Sequence, residues 1–146
     1  MIVIVGHGPS LSAVPPDFDI DQHTVVRLRR AELLIGTRTD VICSSQLRYS
    51  RAGIEFWHLT GAIRSRCVEV LKPYAPSFSK PSTGLSAAIL ARDKWPDAEI
   101  GVVGFDYTMH PDRAAAWQEK SRHNRWIHDA HAENACIRDL EVIEIA

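Results

Sequence analysis

Apolar positions along the chain come in short blocks, and the blocks differ in period. Ile2-Val3-Ile4-Val5 is an unbroken apolar run of β-branched residues, the pattern of a strand buried on both faces. Thr24–Leu28, Val41–Ser44, Glu55–Leu59 and Glu99–Phe105 are further short apolar or β-branched runs, and Glu141–Ile145 alternates, so each is predicted as a strand. Helical spacing lies between them. Ile63–Leu71 sets apolar residues at Ile63, Cys67, Val70 and Leu71. Leu85–Trp95 is rich in Ala and Leu, follows the hydroxyls of Ser82 and Thr83, and stops before Pro96. Ala114–Lys120 and Asp129–Leu140 are also predicted helices. Leu11–Asp21, with Pro15-Pro16, reads as a turn-rich connection, Arg29–Ile35 as loop or short helix, and Lys72–Lys80 as loop. Strands alternating with helices predict one α/β domain over residues 1–146: a mainly parallel, Rossmann-like sheet with helices on both faces.

That architecture directs attention to the loops after strands, because ligands of open α/β sheets sit beyond the strands' C-terminal ends. Gly6-His7-Gly8-Pro9-Ser10 follows the first strand. Its glycines permit a tight turn and a close backbone approach, and Ser10 offers a hydroxyl. Arg29-Arg30, Ser44–Gln46 and Gly104–His110 follow later strands, and Ser82-Thr83-Gly84 begins a helix. Together they supply hydroxyls, backbone N–H groups, arginines and histidines, an inventory suited to a phosphate-bearing ligand. A dinucleotide fingerprint is incomplete: Leu11 stands at the third glycine, and the second strand ends in Arg27-Leu28-Arg29-Arg30 in place of an acid. Arginines there leave an NADP reading open. No Gly-Lys-Ser/Thr follows the glycines, so there is no P-loop.

Composition narrows the partners. A formal net charge of −1 over 146 residues gives no bulk electrostatic reason to expect nucleic acid or an anionic membrane. No apolar run reaches membrane-spanning length, and the start lacks a signal-peptide pattern. Cys43, Cys67 and Cys136 are odd in number, widely spaced and without a CxxC. They read as small buried hydrophobes of a reduced, cytoplasmic protein.

The motifs in chain order resemble the family 29 sialyltransferases. Gly6-His7-Gly8-Pro9-Ser10-Leu11, with Ile20-Asp21 and Val25-Val26-Arg27, looks like that family's large motif. Lys80-Pro81-Ser82-Thr83-Gly84, leading through a helix to Val102-Val103-Gly104-Phe105-Asp106, is similar to its small motif. His110 falls where the short third motif places a histidine, and His128-Asp129-Ala130-His131-Ala132-Glu133-Asn134 resembles the closing His-x-x-x-x-Glu motif. The resemblance implies the family's GT-A variant of a Rossmann-like fold. It also implies transfer of a sialic-acid-like sugar from a CMP-activated donor to an acceptor hydroxyl, with inversion and no metal or other cofactor.

Carried over by position, the resemblance assigns Gly6, His7, Gly8, Pro9, Ser10, Arg27, Arg29, Ser82, Thr83 and Gly84 to the nucleotide. It makes His128 the general base and His110 the partner of the departing phosphate, with Glu133 and Asp106 in support. An imidazole titrates near neutrality, so one histidine can serve as neutral base and another as charged phosphate partner. The chain departs from the family at His7 and Arg29, where Asn is usual. It also lacks the paired cysteines and is much shorter than typical members. The short length keeps a CMP-sugar hydrolase open beside the transferase, and a non-catalytic nucleotide-binding module beside both.

Other features carry blander readings. Asp17-x-Asp19-x-Asp21 contains a DxD pattern within the Pro-rich connection and reads as turn and solvent-facing acids. His58 and His123 read as surface residues, and Trp117 and Trp126 as core aromatics. His128 and His131 have a spacing compatible with a metal on a helix, but spacing fixes no third ligand.

Overall fold

The computed structural model describes residues 1–29, 35–75, 80–113 and 128–146. Its frame is six strands: β1 (Ile2–Val5), β2 (Thr24–Leu28), β3 (Val41–Ser44), β4 (Glu55–His58), β5 (Ile100–Val103) and β6 (Val142–Glu144). They form one sheet in the order β4-β3-β2-β1-β5-β6, with every pairing parallel. Four α-helices are described: α1 (Gly61–Leu71), α2 (Thr83–Lys94), α3 (Asp106–Met109) and α4 (Ala130–Asp139). This is a Rossmann-like α/β fold. All six predicted strands are present, and α1, α2 and α4 match predicted helices to within two residues at each end. The helix predicted over Ala114–Lys120 lies outside the described residues, as do Trp117, His123 and Trp126.

The sheet is covered differently on its two faces. Alternation sends Ile2, Ile4, Val26, Leu28, Ile100 and Val102 to one side, where α1, α2 and α4 bring Cys67, Leu71, Leu85, Ile89, Cys136 and Ile137 against them. Ala87, Ala88 and Ala91 of α2 are fully buried, and their small side chains let the helix lie close across the sheet. Val3, Val5, Val25 and Val103 face the other way, against Ile20, Leu11, Val14 and Phe18. Those residues come from 3-10 turns at Pro9–Ala13 and Ile20–Gln22 and from the link between them. So where helices are expected on both faces, the described residues place α-helices on one and 3-10 turns on the other. Pro9, Pro15 and Pro16 explain this, since each lacks an N–H and none fits a helix interior. Cys43, Cys67 and Cys136 are buried free thiols. Among the described residues, no helix is long and apolar enough to cross a membrane.

Arg27 requires a correction. It was expected at the nucleotide, yet alternation along β2 puts it on the Val25 face with no solvent exposure. Its Nε donates to the Arg38 carbonyl and to Thr39 Oγ1, both at 2.9 Å, and Nη1 donates to the Ile35 carbonyl at 2.7 Å. The guanidinium ties the 35–39 turn to the strand. Asp21 holds the same turn from outside, accepting from the Thr37 N–H and O–H and the Arg38 N–H, which keeps its carboxyl below the usual range. Asp19 caps the second 3-10 turn through the Asp21 N–H. The Asp17–Asp21 stretch is thus turn chemistry, as its composition predicts.

The order of the strands matters most for function. β2 leads away from β1 on one side and β5 on the other. The chain therefore reverses its direction of travel across the sheet at β1 and β5, and the ends of these strands are the usual ligand position in such sheets.

Candidate functional site

A cleft of about 550 Å³ lies at those strand ends. Its lining comes from the loop after β1 (Gly6, His7, Gly8, Pro9), the end of β2 (Leu28, Arg29), the start of α2 (Ser82, Thr83, Gly84), the loop after β5 (Gly104 to Thr108), Arg113 and His128. The volume falls in the range of small-molecule and cofactor sites. Ten of the residues expected from sequence meet here: Gly6, His7, Gly8, Pro9, Arg29, Ser82, Thr83, Gly84, Asp106 and His128. Arg27, Ser10, His110 and Glu133 do not line it. Phe105, Tyr107 and Thr108 belong to the Gly104–His110 loop expected at the ligand site, though not as individual site residues; Leu28 and Arg113 were not expected there. The strand-end position of that loop is what pointed to it, whereas Arg113 has no motif around it.

On the β1 side, the N–H groups of Gly6, Gly8, Ser10 and Leu11 are already taken. The Gly6 N–H donates to the Val103 carbonyl at 2.8 Å and the Gly8 N–H to the Gly104 carbonyl at 2.9 Å. Ser10 donates to Asp106 Oδ2 from both its N–H (3.2 Å) and its hydroxyl (2.7 Å). The Leu11 N–H turns back to the Gly8 carbonyl at 3.2 Å, and Pro9 has no N–H. The expected cradle of Gly6, Gly8 and Ser10 N–H groups around a phosphate is therefore corrected. The glycines serve a close approach between two loops. A Cβ on Gly6 would strike the Gly104 carbonyl oxygen, and one on Gly8 the Asp106 carboxylate. Gly104 itself has φ +68°, a conformation that favours glycine. Asp106 supports this wall by holding Ser10.

The opposite wall is built by α2 and α4. Ser82 caps α2, its Oγ accepting from the Leu85 N–H at 3.2 Å. Ser82 also donates its N–H to Glu133 Oε1 (2.7 Å) and its hydroxyl to Oε2 (2.6 Å). Glu133 has no solvent exposure, and its carboxyl is pushed up to about 7 by burial, opposed by the bonds from Ser82 and the Thr108 hydroxyl. The N–H groups of Thr83 and Gly84 open the helix and have no intrahelical acceptor. They border the cleft, where a helix start favours an anion. A Cβ at Gly84 would lie 3.1 Å from the nearest carbon of the Phe105 ring, a tight contact that the ring would have to yield to by a few tenths of an ångström.

His128 stands just before α4, whose start is capped by Asp129. Its Nδ1 donates to the Lys80 carbonyl, so the neutral ring carries its lone pair on Nε2. Burial lowers the pKa of His128, the Lys80 hydrogen bond opposes this, and the charges of Lys80 and Arg29 add to the lowering. The Tyr107 ring meets the imidazole edge-on, and the Tyr107 hydroxyl donates to the His128 carbonyl at 3.2 Å. Glu133 Oε1 lies 3.9 Å from Nδ1, so one carboxylate sits behind both the cap of α2 and the imidazole. A neutral imidazole held by its far nitrogen is suited to accepting a proton.

His110 is a further correction. Its Nε2 meets Glu144 Oε1 at 2.6 Å, near the end of β6, and it does not line the cleft. The cations that do are Arg29 and Arg113. Arg29 reaches this position because the chain turns there through a positive φ of 48°, just past β2. No protein-family model matches the chain, and searches of curated proteins and of solved structures return no match.

Proposed function

We propose that the chain is a glycosyltransferase resembling the sialyltransferases, with the GT-A variant of the Rossmann-like fold and no metal requirement. The donor is a CMP-activated, sialic-acid-like sugar. The observation that carries this reading is His128, a neutral imidazole on the same cleft as the opening N–H groups of α2 and the side chain of Arg29. His128 Nε2 takes the proton from the acceptor hydroxyl as its oxygen bonds to the anomeric carbon. The bond from that carbon to the CMP phosphate oxygen breaks, the configuration inverts, and CMP leaves with the electron pair. Thr83 and Gly84 N–H groups, with Arg29 and Arg113, meet the charge that develops on the phosphate. These groups take the role that sequence alone assigned to His110.

The first test is calorimetric binding of CMP against UMP, AMP and NADP on metal-free protein. Preferential CMP binding is expected; binding of NADP with none of CMP overturns the reading. The second is turnover of CMP-sugars by His128→Ala, expected to fall about 10²–10⁴-fold with CMP affinity retained. Unchanged turnover would remove His128 as the base. Release of free sugar without any acceptor would redefine the activity as hydrolysis.

A further inference from the structure

Beside the main cleft lies a recess of about 70 Å³ that shares Arg29, Thr83 and His128 with it. Arg64 and Lys80 complete its charge, Ser45 adds a hydroxyl, and no acidic residue lines it. Arg64 is steadied at the start of α1 by its Nε, which donates to the Leu59 carbonyl at 3.1 Å. Among the described residues, its two Nη groups have no hydrogen-bond partner, and neither Arg29, Arg64 nor Lys80 forms an ion pair with a carboxylate. Three cations around a small, partly buried recess create a positive potential, and among the described residues no carboxylate lines it. The recess is too small for a nucleoside and large enough for a carboxylate or a phosphate group.

We infer that this recess is an anion subsite, binding the carboxylate or phosphate of a substrate whose reacting atom lies at His128. Arg64 supplies planar N–H donors suited to an oxyanion, and Lys80 and Arg29 add charge. The shared wall means that one ligand, or two adjacent ligands, can fill cleft and recess with His128 between them. The subsite rests on the proposed function only for which molecule carries the anion: the nucleotide phosphate, a carboxylate on the donor sugar, or an acidic acceptor.

The experiment is titration of the isotope-labelled protein with inorganic phosphate, followed by NMR at the His128 ring and the Ser45 and Thr83 amides. Arg64→Gln and Lys80→Gln are compared with the wild type, and Arg66→Gln, an exposed residue paired with Asp93 at 2.9 Å, is the control. Saturable shifts are expected, weakened about tenfold in each of the two variants and unchanged in the control. Amides remote from the recess report whether each variant keeps its fold. Displacement of phosphate by CMP identifies the nucleotide phosphate as the occupant. Displacement by a CMP-sugar alone identifies the sugar carboxylate, and coexistence with both identifies an acidic acceptor. Phosphate binding in a protein that binds no CMP leaves the subsite standing while the transferase reading fails. Absence of saturable shifts, or equal affinity in both variants and the wild type, overturns the subsite.

Discussion

The two walls of the cleft look alike in sequence and differ in what their backbones do. Gly6-His7-Gly8-Pro9-Ser10 and Ser82-Thr83-Gly84 are both short stretches of glycine and hydroxyl residues beside a regular element. In the first, the N–H group of Gly6 bonds to the last residue of β5, and those of Gly8 and Ser10 bond to Gly104 and Asp106 just after it. In the second, Ser82 is held by Glu133 while Thr83 and Gly84, whose N–H groups begin α2, line the cleft. A glycine signals that something comes close; only the fold decides whether it is a ligand or another loop. The β1 wall is a structural seam, and the α2–α4 wall is the one to which the proposed function assigns the chemistry.

That contrast can be broken by four measurements. Gly6→Ala acts on the seam, where the obstacle is a backbone carbonyl that cannot step aside. It is expected to lower stability by about 3 kcal/mol in denaturant unfolding. An unchanged midpoint with lost CMP binding would make Gly6 a ligand residue after all.

Glu133 tests the α2–α4 wall through pH. Its folded pKa, about 7, lies above the ordinary 4.5, so between those values the folded state holds a proton that the unfolded state has lost. This contribution to stability is full below pH 4.5, declines as pH rises toward 7, and is gone above it. Glu133→Gln is expected to remove that part of the slope, a change of a few kcal/mol across the interval. A variant whose stability falls with pH as steeply as the wild type would mean that the carboxylate ionises at its ordinary value.

Ser82→Ala removes both the cap of α2 and the hydroxyl bond to Glu133. A loss of about 1–2 kcal/mol is expected in thermal unfolding, together with weaker nucleotide binding as the first turn loosens. Intact binding would detach the helix start from the ligand. The smallest effect is expected at His110, whose contact with Glu144 is about one-third exposed on each side. His110→Ala should cost less than about 1 kcal/mol and leave turnover within about twofold, since it lies off the cleft. A large fall in turnover would return His110 to the reaction.

Some of the site was legible in the chain because local chemistry suffices to specify it. Ser82 precedes an Ala-rich helical run that stops before Pro96, so a cap at that place is predictable. His128 was found through its motif; burial favours its neutral form, and the Lys80 carbonyl fixes which ring nitrogen carries the proton. Arg27 and Arg29 show the limit. Both are arginines at the end of one strand, two positions apart, yet Arg27 is inside the alternation and buried against the 35–39 turn. Arg29, past the strand with a positive φ, turns onto the cleft. Pattern alone does not tell where the strand stops within that margin. Arg113 and the Arg64–Lys80 recess had no local mark at all, because their meaning lies in neighbours distant along the chain.

By itself the sequence determined six short strands, the helices α1, α2 and α4, and hence an α/β sheet. Those choices follow from side-chain period and local backbone preference, which act over a few residues. Only the tertiary structure decided that β1 lies between β2 and β5, and so which loops meet. It also decided that the first glycines face a loop, that His110 faces Glu144, and that Glu133 supports both Ser82 and His128. Those contacts depend on burial and on hydrogen-bond partners far along the chain, so the strands become legible before the cleft does.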